Sequence, residues 1–305
     1  MTRLALGVFF AFSNSGHGTG GRVIFHQSDL QSWARCPEAY HLEHQGHPSR
    51  QLSATAYGSV MHHALHVFER TGDVRAAEDT FRHYWHPANI SAICEPVDIW
   101  IGRDSYSSLL TKGVETIRRY ADLKKFDDEK LLALEYEFIV PLHGTQDRQT
   151  GEPHLLAGTV DRLAIRRHKR HPTLSIDDHK TGKQHAYLRH NIQGTAYAYA
   201  STLPEFWTGW QHTDGFSYDR GIELFKEYED IPRKFTWINL TTLRWVDGGY
   251  RGPKDYQRLT VAVQRMADSI QADIFPLNIH GEICQFCPQR NNCAGIGVDD
   301  NEGAP

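Results

Sequence analysis

The sequence predicts an α/β protein, a β-meander flanked by helices, and three observations carry that reading. Residues 28 to about 124 keep apolar side chains at helical spacing. The texture changes at Leu131, where three β-rich stretches follow one another and close on "IDDHKTGK", residues 176–183. A short helix, two more strand candidates and a strongly amphipathic helix then precede a cysteine-rich segment.

Taken in order, residues 1–21 read as a disordered leader. "MTRLALGVFFAF" has one arginine and a short apolar stretch, a faint signal-peptide look, and "SNSGHGTGGR" reads as a linker. In "SDLQSWARCPEAYHLEH" Ser28 is an N-cap with Gln31 at the capping-box position, and Leu30, Trp33 and Ala34 form an apolar face. Val60, Met61, Ala64, Leu65 and Phe68 have helical spacing, with Gly72 as C-cap. Helical patterns continue through "VRAAEDTFRHYW" and "YSSLLTKGVETIRRYADL". "LLALEYEFIVPL" alternates and is a strand. "HLLAGTVDRLAIRR" is a second strand, "HKRHP" a turn and "TLSIDDHK" a third strand. "LRHNIQGTAYAYAST" reads as a helix, "DGFSYDRGI" and "KFTWINLTTL" as strand candidates, and "PKDYQRLTVAVQRMADSIQA" as an amphipathic helix. One domain is expected over 22–293, divided into a helical section (28–124), a catalytic core (125–200), additional strands and helix (201–283) and a cysteine segment (284–293), with a tail at 294–305.

Composition narrows the function classes. The 305 residues are 40% apolar and 23% charged, ordinary for a globular chain, and the net charge of −4 gives no global basic signature. Nucleic-acid contact would have to come from local patches. "RRHKRHP" (166–172) is one candidate, though such a run also reads as a solvated turn. No apolar run reaches membrane-spanning length, and a cytoplasmic protein without membrane partners is expected. Nineteen histidines supply ligand candidates. The five cysteines are Cys36, Cys94, Cys284, Cys287 and Cys293. An odd count with three in ten residues is no disulfide framework; "CQFCPQRNNC" has the spacing of a metal or cluster site. A fourth ligand would come from Cys36 or Cys94.

The chemistry centres on the two later strands of the meander. Residues two apart in a strand share a face, so Asp178 and Lys180 stand together near a strand end. Asp161, in "AGTVDRL", could meet Asp178 across the neighbouring strand. Two close carboxylates repel unless a cation or proton lies between them, and a divalent metal is the usual resolution. Lys180 could orient or deprotonate an attacking water, or offset charge on a phosphate. Asp177 is the rival to Asp178, and the spacing to Lys180 favours Asp178. Glu135 and Glu137 share a strand face, with a slight preference for Glu135. The His62/His66 pair lacks the glutamate of a zinc protease motif. Trp33, Trp85, Trp207 and Trp237 read as core rather than base-stacking residues, and Cys94 as a small buried hydrophobe.

In this order the motifs resemble the RecB-type nucleases of the PD-(D/E)XK superfamily. "GSVMH" (Gly58, His62), "LEYEF", "AGTVDRL", "IDDHKTGK" and "QGTAY" (Gln193, Tyr197) match the family's successive motifs, with Val160 standing where the superfamily's name has proline. The cysteines are similar to those of its iron–sulfur members, with Cys36 in "S-x-x-x-C-P-x-x-Y" as the first ligand. The layout resembles compact CRISPR-adaptation exonucleases, their phage-borne cousins and the AddB nuclease domain, over about Ser28 to Cys293.

The resemblance implies a restriction-endonuclease-like core with a mixed central sheet. It implies Mg or Mn bound by Asp161, Asp178, His62, Glu135 and the backbone carbonyl of His179, with His62 favouring Mn. Lys180 would be the catalytic lysine, and Gln193 and Tyr197, one helical turn apart, would hold the lysine, water or DNA backbone. Cys36, Cys284, Cys287 and Cys293 would hold a structural 4Fe–4S cluster. The implied activity is exonucleolytic hydrolysis of DNA ends or single strands, with a helicase, recombination or CRISPR-adaptation partner. The residues alone also allow a DNA-binding or assembly subunit with a weak site, or a zinc-stapled nuclease acting on RNA.

Overall fold

The structure is a computed structural model that describes residues 22–47, 51–124, 129–168, 171–181, 191–209, 217–278, 284 and 287–293. The expected leader and tail, part of the 168–172 turn and the first residues of the helix expected from 188 lie outside them.

A short strand, β1 (Ile24–His26), leads into α1 (Gln27–Arg35) and α2 (Pro37–His44). The start of α1 differs from the sequence reading. Its N-cap is His26, whose backbone N–H donates to Asp29 Oδ2 at 2.7 Å, so Asp29 takes the reciprocal capping position rather than Gln31. Three helices follow: α3 (Ser53–Thr71), α4 (Val74–Tyr84) and α5 (Tyr106–Lys124). Along α3, Ala56, Tyr57, Val60, Met61, Ala64, Leu65 and Phe68 are buried, one helical stripe. The helix stops at Gly72, whose φ of +68° is the left-handed conformation glycine adopts without a Cβ clash.

The sheet comes from β2 (Glu129–Pro141), β3 (Leu155–His168), β4 (His171–Lys180), β5 (Arg233–Asn239) and β6 (Arg244–Arg251), together with β1. Its order is β1-β3-β4-β5-β6, with β2 along β3. β1/β3 and β4/β5 are parallel; β2/β3, β3/β4 and β5/β6 are antiparallel, so the sheet is mixed. Between β4 and β5 the chain makes α6 (Ile192–Ala200), α7 (Pro204–Thr208) and α8 (Tyr218–Tyr228), and α9 (Pro253–Gln271) follows β6.

The strand expected at 214–222 is replaced over its described part by α8. Ser217 caps it by accepting from Arg220 N–H at 3.2 Å, and Gly221, Leu224 and Tyr228 are buried on one face. β6 escaped the sequence reading because "VDGG" looks like a turn. In the structure it is a bulged strand: the β5/β6 register shifts at Phe235/Thr236 and Gly249 takes φ +82°.

Helices cover both faces of the sheet. One core joins β2–β5 to α1, α2, α6, α7, α8 and α9; a second joins α3, α4 and α5 to Ile238 of β5 and Leu240 just after it. Trp85, Trp207 and Trp237 are buried and Trp33 packs against the first core, so all four act as core residues. No helix among the described residues is long and apolar enough to cross a membrane.

Candidate active site

The β3/β4 register explains how the two carboxylates meet. Arg162 pairs with Asp177, so one step further along the antiparallel ladder Asp161 stands beside Asp178. Alternation then sends Asp161, Asp178 and Lys180 to one face and Arg162, Asp177 and the His179 side chain to the other. That alternation puts Asp177 and Asp178 on opposite faces.

On the first face His62, delivered by α3, has Nδ1 3.5 Å from Asp161 Oδ2 and 3.8 Å from Glu135 Oε1. The ligand atoms of His62, Glu135 and Asp161 lie within 4.8 Å of one another, the one such group of three among the described residues. His62 Nε2 donates to the His179 carbonyl at 3.0 Å, which leaves Nδ1 facing the carboxylates. The His179 carbonyl is thus engaged through one lone pair and keeps a second. Its N–H donates to Asp161 Oδ2 at 2.7 Å.

Asp178 stands outside that group of three. It is buried and holds Lys180, with Nζ 2.8 Å from Oδ2 and 3.1 Å from Oδ1. Glu135 falls between the Leu134/Arg162 and Tyr136/Val160 pairs of the β2/β3 register, beside Asp161, and its φ of +46° is rare for a side chain with a Cβ and stores local strain. Glu137 is exposed and belongs to no such group among the described residues. The strain is a property of the folded backbone, and no residue type in "LEYEF" announces it.

The electrostatics are those of a carboxylate cluster short of positive charge. Burial, then Asp161, pushes the Glu135 carboxyl up to about 8. Burial raises Asp178 to about 6 against the pull of Lys180, with Asp161 adding to the rise. Burial lowers the His62 imidazole, but Asp161, Glu135 and Asp178 outweigh it and the net shift is upward. Lys180 behaves likewise: burial opposes its charge, Asp178 and Asp161 restore it, and the net shift is upward. A divalent cation among these oxygens would remove the repulsion that raises the two acids.

Gln193 and Tyr197 project from α6, where Gln193 Nε2 donates to Tyr197 Oη at 3.0 Å. Burial and the charges of Asp178 and Asp161 hold the Tyr197 hydroxyl well above its ordinary range. Gln31, assigned to capping from sequence, donates instead to Gln193 Oε1 at 2.8 Å and joins α1 to this row. Its place on the inward face of α1, one turn from Gln27, was the available signal.

The opposite face holds a buried ion network that sequence reading missed. Arg162, fully buried, meets Asp177 Oδ2 at 2.8 Å, Glu69 Oε1 at 3.2 Å and Glu129. Arg166 pairs with Asp177 at 2.8 Å and Glu129 at 3.0 Å, and Lys124 with Glu129. So Arg166, grouped above with a candidate phosphate patch, is turned inward.

The cysteines occupy two places. Cys94 is half-buried against the helical core. Cys36 is the N-cap of α2, with its N–H on Ser32 O. The C-terminal segment approaches it: Asn278 Nδ2 donates to Arg35 O at 2.7 Å and Gln289 Nε2 to His47 O at 3.5 Å. Burial, and then the charges of Cys36 and Cys293, push the Cys287 thiol up. Cys284 joins Cys287 through a turn, Cys287 N–H to Cys284 O at 3.2 Å. Among the described residues no three thiols lie within 4.8 Å of one another.

The model of the PD-(D/E)XK nuclease superfamily matches residues 25–294. The chain belongs to that superfamily. No curated protein matches this PD-(D/E)XK chain. Among solved structures, that of SSO0001 is similar at a TM-score of 0.39 and 11% identity, over 91% of this chain and 89% of its own, a likeness too loose to carry argument. Membership in a nuclease superfamily whose members use divalent metals, with a group of His, Glu and Asp able to hold one, makes this a metal-dependent nuclease at the level of family.

Proposed function

We propose that this chain is a RecB-type, Mg- or Mn-dependent DNA nuclease that degrades DNA exonucleolytically from duplex ends or single strands, with a structural 4Fe–4S cluster. The convergence of His62 Nδ1, Glu135 and Asp161 within 4.8 Å, beside the Asp178–Lys180 pair, carries the catalytic half. His62, Glu135, Asp161 and Asp178 would hold the cation, with the second lone pair of the His179 carbonyl available to it; the imidazole favours Mn. When bound, the cation acidifies its water and offsets charge on the phosphoryl group.

The protein's own groups do the rest. Asp178 and Asp161 favour the charged form of Lys180. It orients the attacking water and offsets negative charge gathering on the phosphate oxygens. Tyr197 keeps its proton and donates, held in place by Gln193 and Gln31. These contacts address the phosphate backbone, so sequence preference is weak. For the cluster, Cys36, Cys284, Cys287 and Cys293 are the ligands; the shared neighbourhood of Cys36, Cys287 and Cys293 supports it. It would tie α1 and α2 to the C-terminal segment.

The test uses protein purified without oxygen, with end-labelled linear DNA, circular single-stranded DNA and RNA, in Mn, Mg or EDTA. Shortening of linear DNA that needs the cation, spares the circle and RNA, and vanishes in Lys180→Ala is expected. No cleavage by folded protein in either cation would refute the assignment, and cleaved circles would replace exonuclease by endonuclease.

A further inference from the structure

The β3/β4 ladder stops at Arg162 and Asp177. Just past it, the backbone of His179 is taken up by side chains: its N–H donates to Asp161 Oδ2 at 2.7 Å and its carbonyl accepts from His62 Nε2 at 3.0 Å. The two backbone groups of one residue therefore aim two of the three side chains that converge on the proposed cation site.

The His179 side chain is buried, with Nδ1 3.9 Å from Asp161 Oδ2 and the far end of the ring against the helical layer. Its Nε2 is 3.1 Å from Tyr120 Oη, and the Tyr120 hydroxyl donates to Glu69 Oε1 at 2.5 Å. A carboxylate accepts only, so the tyrosine proton goes to Glu69 and the tyrosine oxygen accepts from His179 Nε2–H. Arg162 Nε, 3.2 Å away, holds the same Glu69 oxygen. Glu69 and His62 both sit on α3, seven residues apart and on one face. Helix α3 thus acts on residue 179 twice: directly through His62 at its carbonyl, and through Glu69, by way of Tyr120 on α5, at its imidazole.

We propose that the His179 side chain, Tyr120 and Glu69 are positioning residues for the cation site. This rests on the reading of His62, Glu135 and Asp161 as that site. The β4/β5 pairing keeps His179 in the sheet. The imidazole anchor fixes how its free amide and carbonyl are turned toward Asp161 and His62. The middle residue of Asp178-His179-Lys180 is therefore a structural choice rather than a free position. A role in packing alone would be met equally by an aromatic ring without the nitrogen.

The test is a Mn titration of the full chain, without DNA, followed by electron paramagnetic resonance. It compares wild type with Tyr120→Phe, His179→Phe and His179→Gln, and melting in EDTA checks that each is folded. Loss of such outer partners typically weakens metal binding 10- to 100-fold. Tyr120→Phe and His179→Phe should fall in that range, while His179→Gln, which returns an N–H at similar reach, should recover most of the affinity. Should His179→Phe fail to fold, Tyr120→Phe, which removes a single oxygen, carries the comparison. Wild-type affinity in folded Tyr120→Phe would overturn the positioning role and leave the cation site standing. No Mn binding by wild type would overturn both.

Discussion

Asp178→Asn should change how stability depends on pH, in a direction the site dictates. Burial and Asp161 raise Asp178 to about 6 in the folded protein, against an ordinary value of 3.8. Between those values the unfolded chain has released the proton and the folded chain still holds it. The folded state then binds more protons, so stability falls as pH rises through this window. Above about pH 6 the loss is complete. About two pKa units at 1.36 kcal/mol each give about 3 kcal/mol. With an unfolding entropy of about 2.1 cal/mol/K per residue, a chain of this length shifts by about 5 °C for that energy. Asparagine cannot titrate, so its melting temperature should gain on wild type by about that amount from pH 4 to pH 7. The attraction of Lys180 for ionised Asp178 is already contained in the value of about 6, so its loss adds no further pH dependence. The assay is thermal melting in EDTA at half-unit pH steps. Parallel profiles for the two proteins would refute the reasoning.

Other predictions rest on other parts of the molecule. Arg162→Met leaves Glu69, Glu129 and Asp177 facing one another with less positive charge, and breaking a buried ionic set costs about 3–5 kcal/mol, measurable by denaturant unfolding. Gly194→Ala places a Cβ 2.3 Å from the Phe235 ring, so overpacking of about 1–3 kcal/mol should appear in the same assay. Cys287→Ser should lose iron, sulfide and colour from anaerobically purified protein, whereas Cys94→Ser should keep them.

What the sequence revealed follows from how local each signal is. The alternation of a strand separates Asp178 from Asp177, and helical spacing identifies α3 and α9; both are properties of neighbouring residues. Glu135 differs, because its meeting with Asp161 depends on the β2/β3 register and comes with a positive φ, both set only in the folded sheet. The Arg162 network was equally hidden: Glu69, Glu129 and Asp177 come from three separate elements, and nothing near any one of them in sequence marks its partners. Phe216, Tyr218 and Ile222 imitate strand alternation, whereas the cap on Ser217 and the Gly221–Leu224–Tyr228 stripe, which runs past the 214–222 stretch, make α8 a helix. β6 was missed for the opposite reason, a bulge whose glycines look like a turn.

The central claim is that His62, Glu135 and Asp161, with Asp178 beside them, hold a divalent cation. Its most direct test is an anomalous difference map from crystals soaked in Mn. The account predicts a peak within bonding reach of His62 Nδ1 and of the Asp161 carboxylate. A map in which Mn is bound elsewhere, or in which this cluster stays empty at saturating Mn, would contradict it.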